Sequence, residues 1–134
     1  GIDQLKKINS YIKIRNKNYK FFLNLIEEFK ENLIIIKPKN IKNISSFAFP
    51  LIFKEKKYLP KFKKLLLDYK IEYRSIIAGN LLKQPFLKNR YTNKCKNSDI
   101  VNERGIYLGN NQFVDKKKIY SINKIFRNIF NYTS

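Results

Sequence analysis

The sequence predicts a small α+β protein in which helices cover one face of a small antiparallel or mixed sheet. Apolar residues recur every three or four positions in the longer segments, which is typical of amphipathic helices. Short runs of aromatic and β-branched residues lie between these segments and are bounded by Gly or Pro, which is typical of strands. With 134 residues, the chain has room for one domain, residues 1–134, and one hydrophobic core.

The first predicted element is a long amphipathic helix over residues 5–33. Its apolar stripe carries Arg15 where another apolar residue is expected. About 28 residues at 1.5 Å each predict a helix roughly 40 Å long, and Pro38 is expected to end it. Because Arg15 interrupts the heptad pattern, we expect this helix to dock one domain onto another and not to form a coiled coil.

The later elements alternate between strands and helices. Pro60 suits the first turn of a helix, while Ser98 and Asp115 are candidate N-caps and Gly105 a candidate stop. The predicted order is a strand over residues 45–53, a helix over 58–69, a strand over 71–77, a loop, a helix over 98–104, a strand over 106–108 and a helix from 115 onward.

The net charge of +19 raises the possibility of a stand-alone module that binds nucleic acid. However, 24 of the 29 basic residues are Lys, and Lys, Asn and Ile together make up 61 of the 134 residues. All three residue types have A- and T-rich codons, and the Arg forks that read phosphates are scarce. Composition bias is therefore the preferred explanation, and a nucleic-acid partner is not expected.

The composition also excludes several kinds of chemistry. Histidine is absent, which removes the usual general base and the commonest metal ligand. Cys95 is the single cysteine, so we expect an incidental thiol, a reducing compartment and no metal site. No apolar run is long enough to span a bilayer. Methionine is absent even at position 1, so we interpret the chain as a fragment of a longer protein.

Residues 71–87 are the part of the sequence whose residue types indicate a functional site. A short strand carries Arg74 and leads into Gly79, which permits a positive φ, and Asn80, which offers an amide. Pro85 is expected to hold Gln84 in an extended conformation. A guanidinium suits a phosphate or another anion, and the two amides suit hydroxyl groups.

Four motifs resemble the C-terminal small domain of the DegT/DnrJ/EryC1/StrS family of pyridoxal phosphate (PLP) enzymes, which act on nucleotide-linked sugars. They are GIDQLKKI at residues 1–8 followed by Arg15, SFAFPL at 46–51, R-x-x-x-A-G-N-x-x-x-Q-P from Arg74 to Pro85, and GIYLGN at 105–110. The resemblance covers nearly the whole chain, and the motif that begins at Arg74 is the most specific. That motif is most similar to the sugar 3-dehydratases and also occurs in aminotransferases.

The resemblance implies the small domain of a fold-type I PLP-dependent transferase. The enzyme would use PLP or pyridoxamine phosphate to carry out 3-dehydration of, or amino transfer to, a nucleotide-linked 4-keto-6-deoxy sugar. Its products would serve lipopolysaccharide, O-antigen or related surface polysaccharides. The resemblance further implies a cytoplasmic homodimer whose large domain, absent here, holds the cofactor. The isolated chain would then be inactive, and a non-catalytic remnant of a split gene stays an alternative.

The candidate site residues follow from the loop and from the resemblance together. Arg74, Asn80 and Gln84 are expected to line the small-domain wall of the active site, while Gly79 and Pro85 set the loop geometry. Lesser candidates for substrate binding are Arg90 and Asn110. No catalytic residue and no metal ligand is expected in this chain.

Overall fold

The computed structural model of the protein describes residues 2–77, 79–87 and 94–131. The elements are the helices α1 (Ile2–Ile26), α2 (Tyr58–Asp68), α3 (Lys96–Arg104) and α4 (Lys116–Phe130), and the strands β1 (Leu33–Ile34), β2 (Ala48–Phe53), β3 (Tyr73–Ser75) and β4 (Gly105–Gly109). Three short 3₁₀ turns lie between them. None of the helices in these described ranges is long and apolar enough to cross a bilayer.

The four strands form one antiparallel sheet in the order β1-β2-β4-β3. The predicted class, a small sheet with flanking helices, is therefore confirmed. Of the two predicted forms, antiparallel and mixed, the sheet is antiparallel. Strand β2 is the centre of the hydrophobic core, because Phe49, Leu51 and Phe53 all point to the same face. Helices α1, α2 and α4 pack on that face.

Aromatic rings make up much of this core. Phe22 of α1 stacks on Phe49 with ring centroids 4.5 Å apart, and Phe62 of α2 stacks on Phe126 of α4 at 4.8 Å. Phe53 contacts both Phe62 and Phe126. The largest fully buried side chains of the core are Phe22, Phe29, Phe49, Phe53, Phe62 and Phe126.

The predicted end of the first helix is wrong. Helix α1 stops at Ile26 and a 3₁₀ turn, Glu27–Phe29, follows it. Leu33 and Ile34, which continue the apolar spacing, instead pair with Phe53 and Ile52 of β2. A short apolar run fits either a helix or a strand, and here the pairing with β2 decides between them.

The predicted caps have mixed outcomes. Asp115 caps α4 as expected, because its carboxylate accepts a hydrogen bond of 2.8 Å from the backbone N–H of Lys118. Ser98 does not begin a helix, since α3 already starts at Lys96 and the N–H of Asp99 donates to the carbonyl of Cys95. Helix α2 ends at Asp68 with Tyr69 as its C-cap, and the next residue, Lys70, has a φ of +54° in the left-handed region that favours glycine.

Candidate functional site

The exposed face of the sheet carries a row of three residues at one register position. Tyr107 of β4 lies directly opposite Pro50 of β2 on one side and Arg74 of β3 on the other. These positions alternate with the core residues of each strand, so they face away from α1, α2 and α4. Phe47 packs edge-on against the Tyr107 ring with centroids 5.9 Å apart. A guanidinium is thereby placed on one side of the Tyr107 ring, with Phe47 on the β2 side of the same ring, on an open surface.

Arg74 is held by the carboxylate of Glu72, two residues earlier. Its Nε and Nη2 atoms both donate to Glu72 Oε1, at 3.2 and 3.0 Å. The hydrogen bond and charge of Glu72 raise the pKa of Arg74, and the proximity of Tyr107 adds to this. Both partners are exposed, so water screens the pair and an incoming anion can compete with the carboxylate. Among the described contacts, three of the five guanidinium N–H groups remain for a ligand.

The turn after β3 requires glycine at position 79. Gly79 has a φ of +52°, as the sequence predicted. A Cβ atom at this position would also collide with the side chain of Asn102 in α3. The positive φ is the stronger reason for glycine here, because the exposed Asn102 side chain could turn aside.

Asn80 uses its side chain to dock the loop onto α3. It is only 4% exposed, its Oδ1 accepts from the N–H of Leu82 at 3.0 Å, and its Nδ2 donates to Asp99 Oδ1 at 2.8 Å. Lys83 adds ion pairs to Asp99 at 2.7 Å and to Glu103 at 3.3 Å. The amide that the sequence assigned to the substrate is thus occupied within the fold, and its direct role in substrate binding stays a prediction.

Gln84 follows this docked segment and is half-buried. Its φ of −71° and ψ of 143° are extended, as expected before Pro85, and its N–H donates to the carbonyl of Leu81. Arg90 lies outside the described residues. Gly79, Asn80, Gln84 and Pro85 therefore belong to one loop, while Arg74 precedes it on β3.

Asn110 is a joint between the sheet and α1. The residue is 0% exposed, and its Nδ2 donates to the carbonyls of Arg15 at 3.1 Å and Ser46 at 2.8 Å. Its N–H donates to the carbonyl of Phe47 at 2.7 Å. These contacts do not bring Asn110 next to the docked loop, and its predicted role in substrate binding stays untested.

Sequence reasoning overlooked two residues of the exposed face, Glu72 and Tyr107. The alternation of Ile106, Tyr107 and Leu108 was a usable signal for Tyr107, because it places the ring on the face opposite the core. Glu72 had no such signal, since a carboxylate two residues from an arginine is common on any surface strand.

The stability that Asp99 provides is expected to depend on pH and to be lost at low pH. Its hydrogen bonds with Lys83 and Asn80 hold the pKa of the Asp99 carboxyl below its usual range, so folding favours the charged form. This contribution is present above the ordinary value near pH 4 and is lost as the pH falls through the lower folded value.

Comparison with Asp99→Asn tests this by urea unfolding at several pH values. The parent chain is expected to be more stable than the variant at pH 7, and the difference is expected to shrink below pH 4. A difference that persists unchanged at pH 2.5 would show that the carboxylate charge does not hold the loop.

The described residues do not form a site for a PLP-type cofactor. A Schiff-base lysine works from a desolvated position, whereas the buried polar residues in the described part of the chain are all asparagines: Asn18, Asn80, Asn110 and Asn123. The same residues hold no group of three His, Cys, Asp or Glu side chains placed to bind a metal ion.

Comparison with known proteins assigns the family. The family model for DegT/DnrJ/EryC1/StrS aminotransferases matches residues 1–127. The chain belongs to the DegT/DnrJ/EryC1/StrS family. The family match extends from the exposed start of α1 through the Arg74 strand to α4, so it includes every candidate site residue.

Two curated relatives are named as a sugar-nucleotide dehydratase and as a lipopolysaccharide biosynthesis protein. GDP-4-keto-6-deoxy-D-mannose 3-dehydratase of Yersinia pseudotuberculosis is 29% identical over 98% of this chain and 32% of its own length. The lipopolysaccharide biosynthesis protein RfbH of Salmonella typhimurium is 25% identical over 81% of this chain and 26% of its own length. The chain thus spans about a third or less of the curated relatives it matches.

Solved structures of a sugar 3-dehydratase and of a sugar aminotransferase share the fold. The Escherichia coli GDP-4-keto-6-deoxy-D-mannose-3-dehydratase with bound hydrated PLP has a TM-score of 0.75 and 25% identity, and the match covers 92% of this chain and 33% of that one. The sugar aminotransferase CalS13 of Micromonospora echinospora has a TM-score of 0.80 at 12% identity, over 96% and 33% of the two chains. The second likeness shows the fold alone.

Proposed function

We propose that the chain is the C-terminal small domain of an enzyme that acts on a nucleotide-linked 4-keto-6-deoxy sugar. The reaction would be 3-dehydration or amino transfer, in the synthesis of lipopolysaccharide, O-antigen or a related surface polysaccharide. The observation that carries this proposal is the similarity to a GDP-4-keto-6-deoxy-D-mannose 3-dehydratase over 98% of the chain. PLP or pyridoxamine phosphate would be held by a large domain, because the described residues here do not form its site.

The exposed face of the sheet is the part of this chain that we assign to the substrate. Arg74 offers free N–H groups for a phosphate or another anionic group, and Tyr107 and Phe47 offer rings for apolar contact. Gln84 would contribute an amide from the adjacent loop. In this proposal Asn80 and Asn110 position the loop and the sheet, since their amides bond within the chain.

Helix α1 supplies a surface for the large domain. Ile2, Leu5 and Ile8 expose 75, 64 and 47% of their areas on the first turns, whereas Tyr19 and Phe22 farther along are buried. An apolar stripe exposed on one part of a helix suits contact with another folded unit. We further propose a homodimer in the cytoplasm, where a free exposed Cys95 is compatible with reducing conditions.

Arg74→Ala tests the assignment in the longer protein that joins this chain to a PLP-binding domain. The variant is expected to lower kcat/KM for a GDP-4-keto-6-deoxy sugar at least ten-fold, because a charge-assisted hydrogen bond to the substrate is lost, about 1.4 kcal/mol or more. The melting temperature is expected to stay within about 2 °C of the parent, since the Arg74–Glu72 pair is exposed.

Lys61→Ala is the matched control, because Lys61 is an exposed cation on α2 away from this face. Unchanged kinetics in Arg74→Ala would remove Arg74 from the substrate site. Failure of the parent protein to convert the sugar with PLP and L-glutamate present would contradict the proposed activity itself.

A further inference from the structure

Helices α1 and α4 lie side by side and run in the same direction, so together they present one outer face. The side chain of Asn18 donates to the carbonyl of Val114 at 2.8 Å, and that of Asn123 donates to the carbonyl of Leu25 at 3.2 Å. Both asparagines are buried. The two hydrogen bonds lie about two helical turns apart along α1, so they fix the two helices against each other.

Exposed lysines lie on this outer face, around an open groove of about 450 Å³ between the two helices. Helix α4 contributes three lysines to the lining of the groove. Helix α1 contributes two more, from the two turns before Phe21 and on the same side of the helix. We call this surface the basic face, and it consists of Lys13, Lys17, Lys116, Lys117 and Lys124 together with the rings of Phe21 and Tyr120.

Carboxylates do not neutralise the basic face. The acidic residue of α1 is Asp3, which pairs with Lys6 near the exposed start of the helix, and α4 has no acidic residue. Among the described residues, no ion pair within 4.0 Å includes a lysine of the basic face. Composition bias explains the number of lysines but not this separation of charge. The face therefore has a positive potential that attracts an anionic partner.

The aromatic rings of the basic face suit the boundary between water and an apolar layer. The Tyr120 side chain is 51% exposed, and Lys116 Nζ lies over the Phe21 ring, 5.2 Å from its centroid. A tyrosine has an apolar ring and a polar hydroxyl, so it suits the interface of a bilayer. Lysine stems can lie along apolar surface while their ammonium groups stay among the headgroups.

The residue types favour a lipid surface over a nucleic acid. Every cation of the basic face is a lysine, whose ammonium group is a point charge, whereas the planar fork of arginine matches the individual phosphates of a nucleic acid better. A bilayer that contains anionic lipids presents a diffuse negative charge. Each lysine near such a surface strengthens binding about five-fold.

We propose that the basic face docks this chain on the surface of a bilayer that contains anionic phospholipids. The five lysines contact the headgroups, and the Tyr120 ring enters the boundary between the headgroups and the acyl chains. This peripheral docking goes beyond the proposed enzymatic function and does not depend on it, because vesicle binding is measured without substrate or cofactor.

Flotation with lipid vesicles tests the proposal on the 134-residue chain, at about 150 mM NaCl, where long-range attraction is screened. We expect the chain to float with vesicles of one part phosphatidylglycerol to two parts phosphatidylcholine, and not with pure phosphatidylcholine. A triple variant, Lys17→Gln with Lys117→Gln and Lys124→Gln, is expected to bind the anionic vesicles about 100-fold more weakly, at about five-fold per lysine.

The matched control removes the same charge from another part of the surface. It combines Lys54→Gln, Lys94→Gln and Lys96→Gln, which are exposed at the end of β2 and around the start of α3. We expect this variant to bind the anionic vesicles within about three-fold of the parent, because these lysines lie off the basic face. Equal losses in the two triple variants would overturn the proposal, since net charge alone would then explain binding.

The absence of tryptophan from the chain provides a second readout that does not change the charge. Tryptophan emission in Tyr120→Trp is expected to move to shorter wavelength when anionic vesicles are added, because the ring leaves water. Phe47→Trp is the control, since Phe47 is exposed on the opposite face of the sheet, and its emission is expected to stay unchanged.

Three further results would contradict the docking of this face on a bilayer. One is an unshifted emission in Tyr120→Trp while the chain floats with the vesicles, and another is an equal shift in Phe47→Trp. The third is tighter binding to a short DNA duplex than to the anionic vesicles, with the same dependence on Lys17, Lys117 and Lys124. That result would assign the basic face to nucleic acid.

Discussion

Replacing Phe126 by alanine is expected to lower the free energy of unfolding by about 3–5 kcal/mol. Phe126 is 0% exposed and its ring stacks on Phe62 at 4.8 Å and on Phe130 at 5.7 Å. It also contacts Phe29 at 5.2 Å and Phe53 at 6.2 Å. Alanine would remove apolar contacts to four rings that belong to different elements, and these rings cannot all move to fill the space.

Equilibrium unfolding in urea measures this effect. Phe113→Ala is the matched control, because Phe113 is 77% exposed and its truncation is expected to change stability by less than about 0.5 kcal/mol. A loss below about 1 kcal/mol in Phe126→Ala would mean that the aromatic cluster does not form the core of the folded chain.

Asn110→Ala is the second substitution with a large expected effect, a loss of about 2–4 kcal/mol. The side chain donates to the carbonyls of Arg15 and Ser46, and alanine would leave both acceptors without this donor in a fully buried place. Each buried group that loses its partner costs about 1–3 kcal/mol. The consequence is a weaker attachment of α1 to the sheet.

Asn97→Ala is the control for this experiment, since Asn97 lies exposed on α3 and alanine favours the helix there. Thermal and urea unfolding of the two variants give the comparison. An Asn110→Ala chain that is as stable as its parent, but loses substrate affinity in the longer enzyme, would restore Asn110 to the substrate site.

Much of the architecture could be predicted because it follows from local periodicity. The apolar faces of α2 and α4 and the Asp115 cap depend on residues a few positions apart. Strand β1 could not be found this way, because its two residues continue the apolar spacing of α1 and become a strand only through β2, nearly twenty residues later. The start of α3 was predicted at Ser98, because serine is a good cap when only its neighbours are considered, whereas the helix begins at Lys96.

The candidate site could likewise be predicted only where neighbouring residues decide the structure. Gly79 and Gln84 have the backbone conformations that their residue types and the following proline predict. The hydrogen-bond partners of Asn80 and Asn110 lie 19 and 95 residues away along the chain. The sequence alone therefore showed two amides available to a ligand, whereas in the fold both amides bond within the chain. The left-handed conformation of Lys70 was equally hidden, since lysine gives no sign of it.

Helix α1 has a mechanical consequence beyond its contacts. Its 25 residues form one continuous rod, attached to the sheet from Phe22 back to Arg15, whose carbonyl accepts from Asn110, and exposed at Ile2. A tilt of about 10° at Arg15 would move Ile2 by about 3–4 Å, because some thirteen residues at about 1.5 Å each separate the two points. The helix is therefore a lever arm, and small changes in packing at the sheet are amplified at its far end.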